Sequence, residues 1–246
     1  MALPKLSSPI FELTLPSSGK EVKYRPFLVK EQKLLLMALE SKEQKEMLRA
    51  MKQIINNCAL DKVDVDAMPM FDLEYFFIKL RAKSVGEEID LQLMHPGGVN
   101  SESQECSHVT KFKLNLMSVE VEKPENHTNK ITLDEKTGVG VCLKYPTMGL
   151  ADKMQIASQK TQIESVLDLV SDSIDYIYDA ENVYPAKDSS KKELLEFVND
   201  LSQDQFKKLT EFFNDMPKLK HTLKWRCAEC GCDESVTIEG MANFFG

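Results

Sequence analysis

The sequence predicts an α+β protein: a helical core with several antiparallel β-hairpins, two of them zinc-ribbon-like, the second at the carboxy terminus. Three observations point to this class. Apolar residues recur at helical spacing in separate stretches, as in Met47, Met51, Ile54, Ile55 and Cys58, or Phe206, Leu209, Phe212 and Phe213. Other runs alternate apolar and polar residues between Pro-, Gly- and Ser-rich turns, the pattern of half-buried strands. A C-x-x-C-G knuckle, Cys227-Ala228-Glu229-Cys230-Gly231, sits between two such runs.

In chain order, Phe11, Leu13 and Leu15 alternate with polar residues, Pro16-Ser17-Ser18-Gly19 turns the chain, and Val22 and Tyr24 resume the alternation, giving a first hairpin. Leu34-Leu35-Leu36-Met37-Ala38-Leu39 opens a helix that is apolar nearly all round, which predicts a central position. A second helix follows over 42–57, then a polar loop over 61–69. Met68 and Met70 flank Pro69 there and read as contact residues. A third helix spans 71–83, with Leu73, Phe76, Phe77 and Leu80 on one face and Asp72 as its cap.

From Glu88 the period becomes two. Ile89, Leu91 and Leu93 lead to Met94-His95, and after a Pro-Gly-Gly loop Cys106-Ser107-His108 precedes a strand over 109–116, making a second hairpin that Val119 and Val121 extend. A third hairpin joins Ile131 and Leu133 to Val139 and Val141 through a turn at 134–138.

The stretch 147–158 is weakly periodic, and Ile163, Val166, Leu167, Val170, Ile174 and Ile177 form a helical stripe. Ser190 with Glu193, and Ser202 with Gln205, are capping-box patterns opening two more helices. The last hairpin runs in through Leu223 and Trp225 and out through Val236 and Ile238. The organisation is thus a region 1–123 (hairpin, three helices, knuckle-like hairpin) and a region 124–246 (hairpin, helices, terminal C-x-x-C hairpin), read together as one compact unit.

The totals narrow the function. A net charge of −8 argues against a phosphate-backbone binder. The basic run Lys218, Lys220, His221, Lys224 and Arg226 reads instead as a charged edge strand. Residues 1–10 hold no apolar signal core, and the longest apolar run is far short of the ~18 residues of a membrane span, so a cytoplasmic protein is expected, with no membrane partner. In that compartment the six cysteines are thiols or metal ligands rather than disulfides. Cys58 and Cys142, in apolar settings, read as buried small hydrophobes.

A C-x-x-C in a tight turn places two thiolates on one side of a hairpin, which is half of a tetrahedral zinc site. His95 and Cys106, at the tip of the second hairpin, would complete a Cys₃His set with Cys227 and Cys230, and His108 and Cys232 stand in reserve. The competing reading is a knuckle that folds without metal and keeps reduced thiols. A redox motif would want a βαβ setting, and here the flanks are hairpin strands. No H-E-x-x-H, G-x-S-x-G or phosphate-loop pattern occurs, so no catalytic residue and no enzyme activity is expected.

The stretch Tyr24-Arg25-Pro26-Phe27-Leu28-Val29-Lys30-Glu31 running into Leu34–Ser41, behind the P-x-F-E-L-T-L-P-S start at 9–17, resembles the T4-like bacteriophage baseplate hub assembly proteins. The Cys227-x-x-Cys230-Gly231 knuckle, with Ile238-Glu239-Gly240 and Phe244-Phe245 after it, is similar to their carboxy-terminal signature. Relatives carry a C-x-x-C-G knuckle in the middle hairpin as well, and this chain departs from them by separating His95 from Cys106 with an insertion. The resemblance implies a non-enzymatic role in forming the central hub of a contractile tail's baseplate, in the cytoplasm of an infected bacterium. The implied partners are hub and tail proteins of the same phage. Some members are regarded as assembly factors absent from the particle, others as hub subunits retained in it. A zinc-dependent regulatory or nucleic-acid-binding protein is a third reading, disfavoured by the charge.

Overall fold

In the computed structural model, residues 7–94, 106, 108–150 and 162–240 are described. The chain is α+β and divides into two compact units, one formed by Met1–Val65, Phe71–Glu122 and Lys218–Gly246, the other by Asp66–Met70 and Lys123–Pro217.

The first unit opens with an antiparallel hairpin, β1 (Phe11–Thr14) and β2 (Glu21–Tyr24), in the register Leu13↔Val22. Helices α1 (Val29–Ser41), α2 (Gln44–Cys58) and α3 (Met70–Val85) follow. The central helix is α3, not α1. Along α3, Leu73, Phe76, Phe77, Ile78 and Leu80 are wholly buried, because apolar side chains cover every side of it. On α1 only Glu31, Leu35 and Ala38 are buried, while Val29, Leu36 and Met37 face solvent. Its apolar run exceeds what its packing face can use.

Among the described residues of this unit, the buried charged side chains Glu31, Asp72 and Lys79 are each partnered, while the buried Trp225 indole N–H has no partner. Glu31 accepts from the Leu28 amide at 2.9 Å and from Arg25 Nη2 at 3.3 Å, and Arg25 also donates to the Asn57 carbonyl at 2.9 Å. Asp72 does not cap α3. Its carboxylate accepts from the Ser17 amide and hydroxyl, tying the helix to the first hairpin's turn. Lys79, 2% exposed, donates to the carbonyls of Met117 and Val119 at 2.7 and 2.8 Å and to Glu120 at 3.0 Å. Met68, read from the sequence as a contact residue, is buried, and Met70 is half-buried.

Strands β3 (Glu88–Met94) and β4 (Val109–Asn115) form the second hairpin in the register Leu91↔Phe112. A 3₁₀ turn at Leu116–Ser118 then redirects the chain, so β5 (Glu120–Glu122) does not extend that hairpin but pairs with β10 (Lys218–Arg226). With β11 (Asp233–Glu239) this gives a sheet of order β11-β10-β5. Within the basic run, His221, Lys224 and Arg226 therefore pair with β11 alone, while the run begins on a middle strand, since β5 covers β10 at Lys218–Lys220. The terminal hairpin, grouped by sequence with the second region, joins the first through this pairing.

The second unit holds a four-stranded antiparallel sheet of order β6-β7-β8-β9, formed by β6 (Lys130–Asp134), β7 (Val139–Leu143), β8 (Ile174–Tyr178) and β9 (Val183–Pro185). Helices α4 (Gln162–Asp172), α5 (Lys191–Asn199) and α6 (Gln203–Asn214) accompany it, and Leu133, Val141, Leu143, Val170, Ile174, Val198, Leu209 and Phe212 make the core. The stripe expected as one helix through Ile177 breaks at Asp172. Ile174-Asp175-Tyr176-Ile177-Tyr178 is rich in β-branched and aromatic residues and pairs with β7 instead. Both capping boxes form, with Ser190 accepting from the Glu193 amide and Ser202 from the Gln205 amide, each at 3.3 Å. The weakly periodic stretch 147–158 falls largely outside the described residues, as do His95 and the terminal Phe244-Phe245.

Candidate metal centre

The terminal knuckle is a tight turn fixed by its backbone. The Cys227 amide donates to the Cys232 carbonyl at 2.8 Å, and the Gly231 amide donates to the Cys227 carbonyl at 3.0 Å. Gly231 sits at φ +72°, a left-handed conformation that a side chain would strain. Arg226 closes the turn from outside, its Nε donating to the Gly231 carbonyl at 2.9 Å. This folding turns the amides of Cys230 and Glu229 toward the Cys227 sulfur.

Cys106 arrives from a sequence distance of 121 residues, just ahead of β4, and its Sγ lies 3.7 Å from that of Cys227. The two hairpins meet beside the cluster, where the Phe112 and Trp225 rings pack edge to face with centroids 5.2 Å apart. The sulfurs of Cys106, Cys227 and Cys230 all lie within 4.8 Å of one another. Zinc–sulfur bonds of ~2.3 Å set tetrahedrally put sulfurs roughly 3.8 Å apart, and a disulfide would bring them to ~2.0 Å. The Cys106–Cys227 separation matches the former, and the three cysteines are free thiols.

The electrostatics follow from this packing. The Cys230 amide, joined by that of Glu229, holds the Cys227 thiol below its ordinary range against the opposing effect of burial. At Cys106 the His108 amide favours the thiolate, but burial and the sulfurs of Cys227 and Cys230 prevail and push the thiol up to about 11. The Cys227 thiol is thus shifted toward its anion while Cys106 resists ionising beside it. A cation among them would remove that conflict, so the cluster could bind a metal ion.

Of the other residues singled out by sequence, Cys232 lies against Cys230, whose sulfur raises the Cys232 thiol above its ordinary range. His108 has Nδ1 3.4 Å from the Glu229 carboxylate across the two hairpins. Cys58 and Cys142 are buried elsewhere, as expected of small core residues. The approach of Cys106 to the knuckle had no local signal. It depends on β5 pairing with β10, which carries the terminal hairpin to the second one.

The fold and site together define an α+β protein in which two hairpins, distant in sequence, converge on a thiol cluster. The family model described as T4 bacteriophage base plate protein matches residues 8–246, and the chain belongs to this family. It is a baseplate-related phage protein, with other baseplate proteins as its natural company. No curated protein matches it, and no solved structure matches it. Among the described residues no helix is long and apolar enough to cross a membrane.

Proposed function

We propose that this protein acts in the infected cell's cytoplasm as a non-enzymatic assembly factor that promotes formation of the baseplate's central hub by binding hub proteins. The observation supporting a binding role is the outer face of α1, where Val29, Leu36 and Met37 are 81%, 52% and 58% exposed. Apolar residues clustered on one helix face in solvent suit a contact that is made and later released. The mechanism is differential binding: the factor favours the assembly-competent form of a hub component and leaves when the next subunit docks. The family's description as a base plate protein favours a second reading, a hub subunit retained in the particle.

In either role the thiol cluster is read as a structural zinc site built on Cys106, Cys227 and Cys230. A fourth ligand would come from His95, as first expected, or from Cys232 or His108 in reserve. Zinc would hold the two hairpins together beside the Phe112–Trp225 contact.

A mass-spectrometric inventory of purified particles beside tail-assembly intermediates tests the main reading. Presence in the intermediates and absence from particles is expected. A fixed copy number in the particle would replace the assembly factor with the structural subunit.

A further inference from the structure

Strand β3 pairs only with β4, and β11 pairs only with β10, so among the described residues each leaves one edge unpaired. These two edges flank one cleft of about 540 Å³, lined by Asp90, Leu91, Gln92 and Leu93 of β3 and by Val236, Thr237 and Ile238 of β11. The lining is consecutive along both strands. Successive side chains in a strand point to opposite faces, so what consecutive residues share is the edge, with its outward N–H and C=O groups. The cleft is therefore a gap between two strand edges, not a hollow on a sheet face.

Its size fits one strand. A residue in a sheet occupies roughly 160 Å³, from a rise of ~3.3 Å, a strand spacing of ~4.8 Å and a layer of ~10 Å. The volume then holds three to four residues, similar to the number lining each side. The two edges also agree in polarity. Leu91 and Ile238 are buried and Leu93 and Val236 half-buried, while Asp90, Gln92 and Thr237 are exposed. A guest strand would find an apolar side and a polar side already aligned. Among the described lining residues the only charged side chain is the Asp90 carboxylate, and the chain carries a net charge of −8.

We propose that this cleft receives an extended segment of a partner protein as an added strand, one that alternates apolar residues with basic ones and hydrogen-bonds to β3 on one side and β11 on the other. Backbone pairing supplies the affinity, and the alternation selects the segment. Open edges of this kind usually carry a protecting charge, bulge or proline; here Asp90 is that charge, and a basic partner strand answers it. The inference rests on the proposed binding role and names the kind of segment bound.

The test titrates short capped peptides, alternating valine or isoleucine with lysine, into the isotopically labelled full chain. Amide hydrogen exchange is followed by NMR. Outward-facing amides within 90–93 and 236–238 are expected to slow at least ~10-fold. The same peptide N-methylated on its backbone should fail to protect them, and Asp90→Lys should weaken binding several-fold without altering the unbound spectrum elsewhere. Protection of one edge alone, equal binding of the N-methylated peptide, or no binding would overturn the proposal. So would protection that rises with protein concentration without peptide, since the cleft would then be taking a second copy. The particle inventory is independent: an assembly factor that ignores these peptides keeps its proposed role and loses this site.

Discussion

Replacing Lys79 by methionine tests how the fold carries its terminal hairpin. The ammonium is buried under the turn between β4 and β5, where it serves two main-chain carbonyls, Met117 at 2.7 Å and Val119 at 2.8 Å, besides the Glu120 carboxylate at 3.0 Å. Burial lowers the Lys79 pKa, and Glu120 acts against that shift. Methionine keeps the aliphatic bulk but leaves both carbonyls without their donor. Each unmet buried acceptor costs ~1–3 kcal/mol, so the loss should be about 3 kcal/mol. The ion pair contributes little to that sum. The Glu120 side chain is 63% exposed, so water screens the pair at that end although Lys79 is buried, and a solvent-screened pair is worth ~0–1 kcal/mol. Glu120→Gln should therefore cost less than ~1 kcal/mol. Urea unfolding reports both variants through Trp225, the single tryptophan, which lies on β10. Near-equal losses would show that the charge pair, rather than the carbonyls, holds this turn. A negligible loss for Lys79→Met would refute the account of β5 placement.

Three further outcomes follow from the same geometry. Cys106→Ser leaves the knuckle's backbone bonds untouched, yet should abolish stoichiometric zinc in elemental analysis of chelator-free protein and lower the melting temperature; unchanged melting and no zinc in the parent would end the metal reading. Gly140→Ala should cost about 2–3 kcal/mol, because an added Cβ would lie 2.6 Å from the Ile131 carbonyl oxygen and against the Tyr178 ring; a neutral thermal melt would contradict it. Burial raises the Glu31 pKa, but the Leu28 amide and Arg25 lower it further, to a net value below 4.5, so its stabilisation is present above about pH 4.5 and lost as pH falls through the lowered folded value. Glu31→Gln should flatten the acid limb of the melting profile, and a limb of unchanged slope would place the acid sensitivity elsewhere.

The local elements were legible where a short-range rule decides them. Ser190/Glu193 and Ser202/Gln205 cap their helices because the cap is satisfied within four residues. The hairpins at 11–24 and 130–143 form because their turns and alternation are contiguous. The errors arose where partners are distant. Ile174 and Ile177 continue a helical stripe by spacing, yet β7 recruits them as a strand. Asp72 has a cap's position, yet Ser17 takes its carboxylate.

The sequence by itself determined the α+β class, the knuckle at Cys227 and Cys230, and the family motifs at each end, since these depend on neighbouring residues and on periods of a few positions. Tertiary structure decided that α3 rather than α1 lies at the centre, that β10 is a middle strand where β5 meets it, and how Cys106, a ligand candidate by sequence, reaches Cys227. The physical reason is common to all three. Burial and strand pairing are set by which surfaces meet, and the 3₁₀ turn at Leu116–Ser118 redirects β5 onto β10, bringing together hairpins that no local pattern connects.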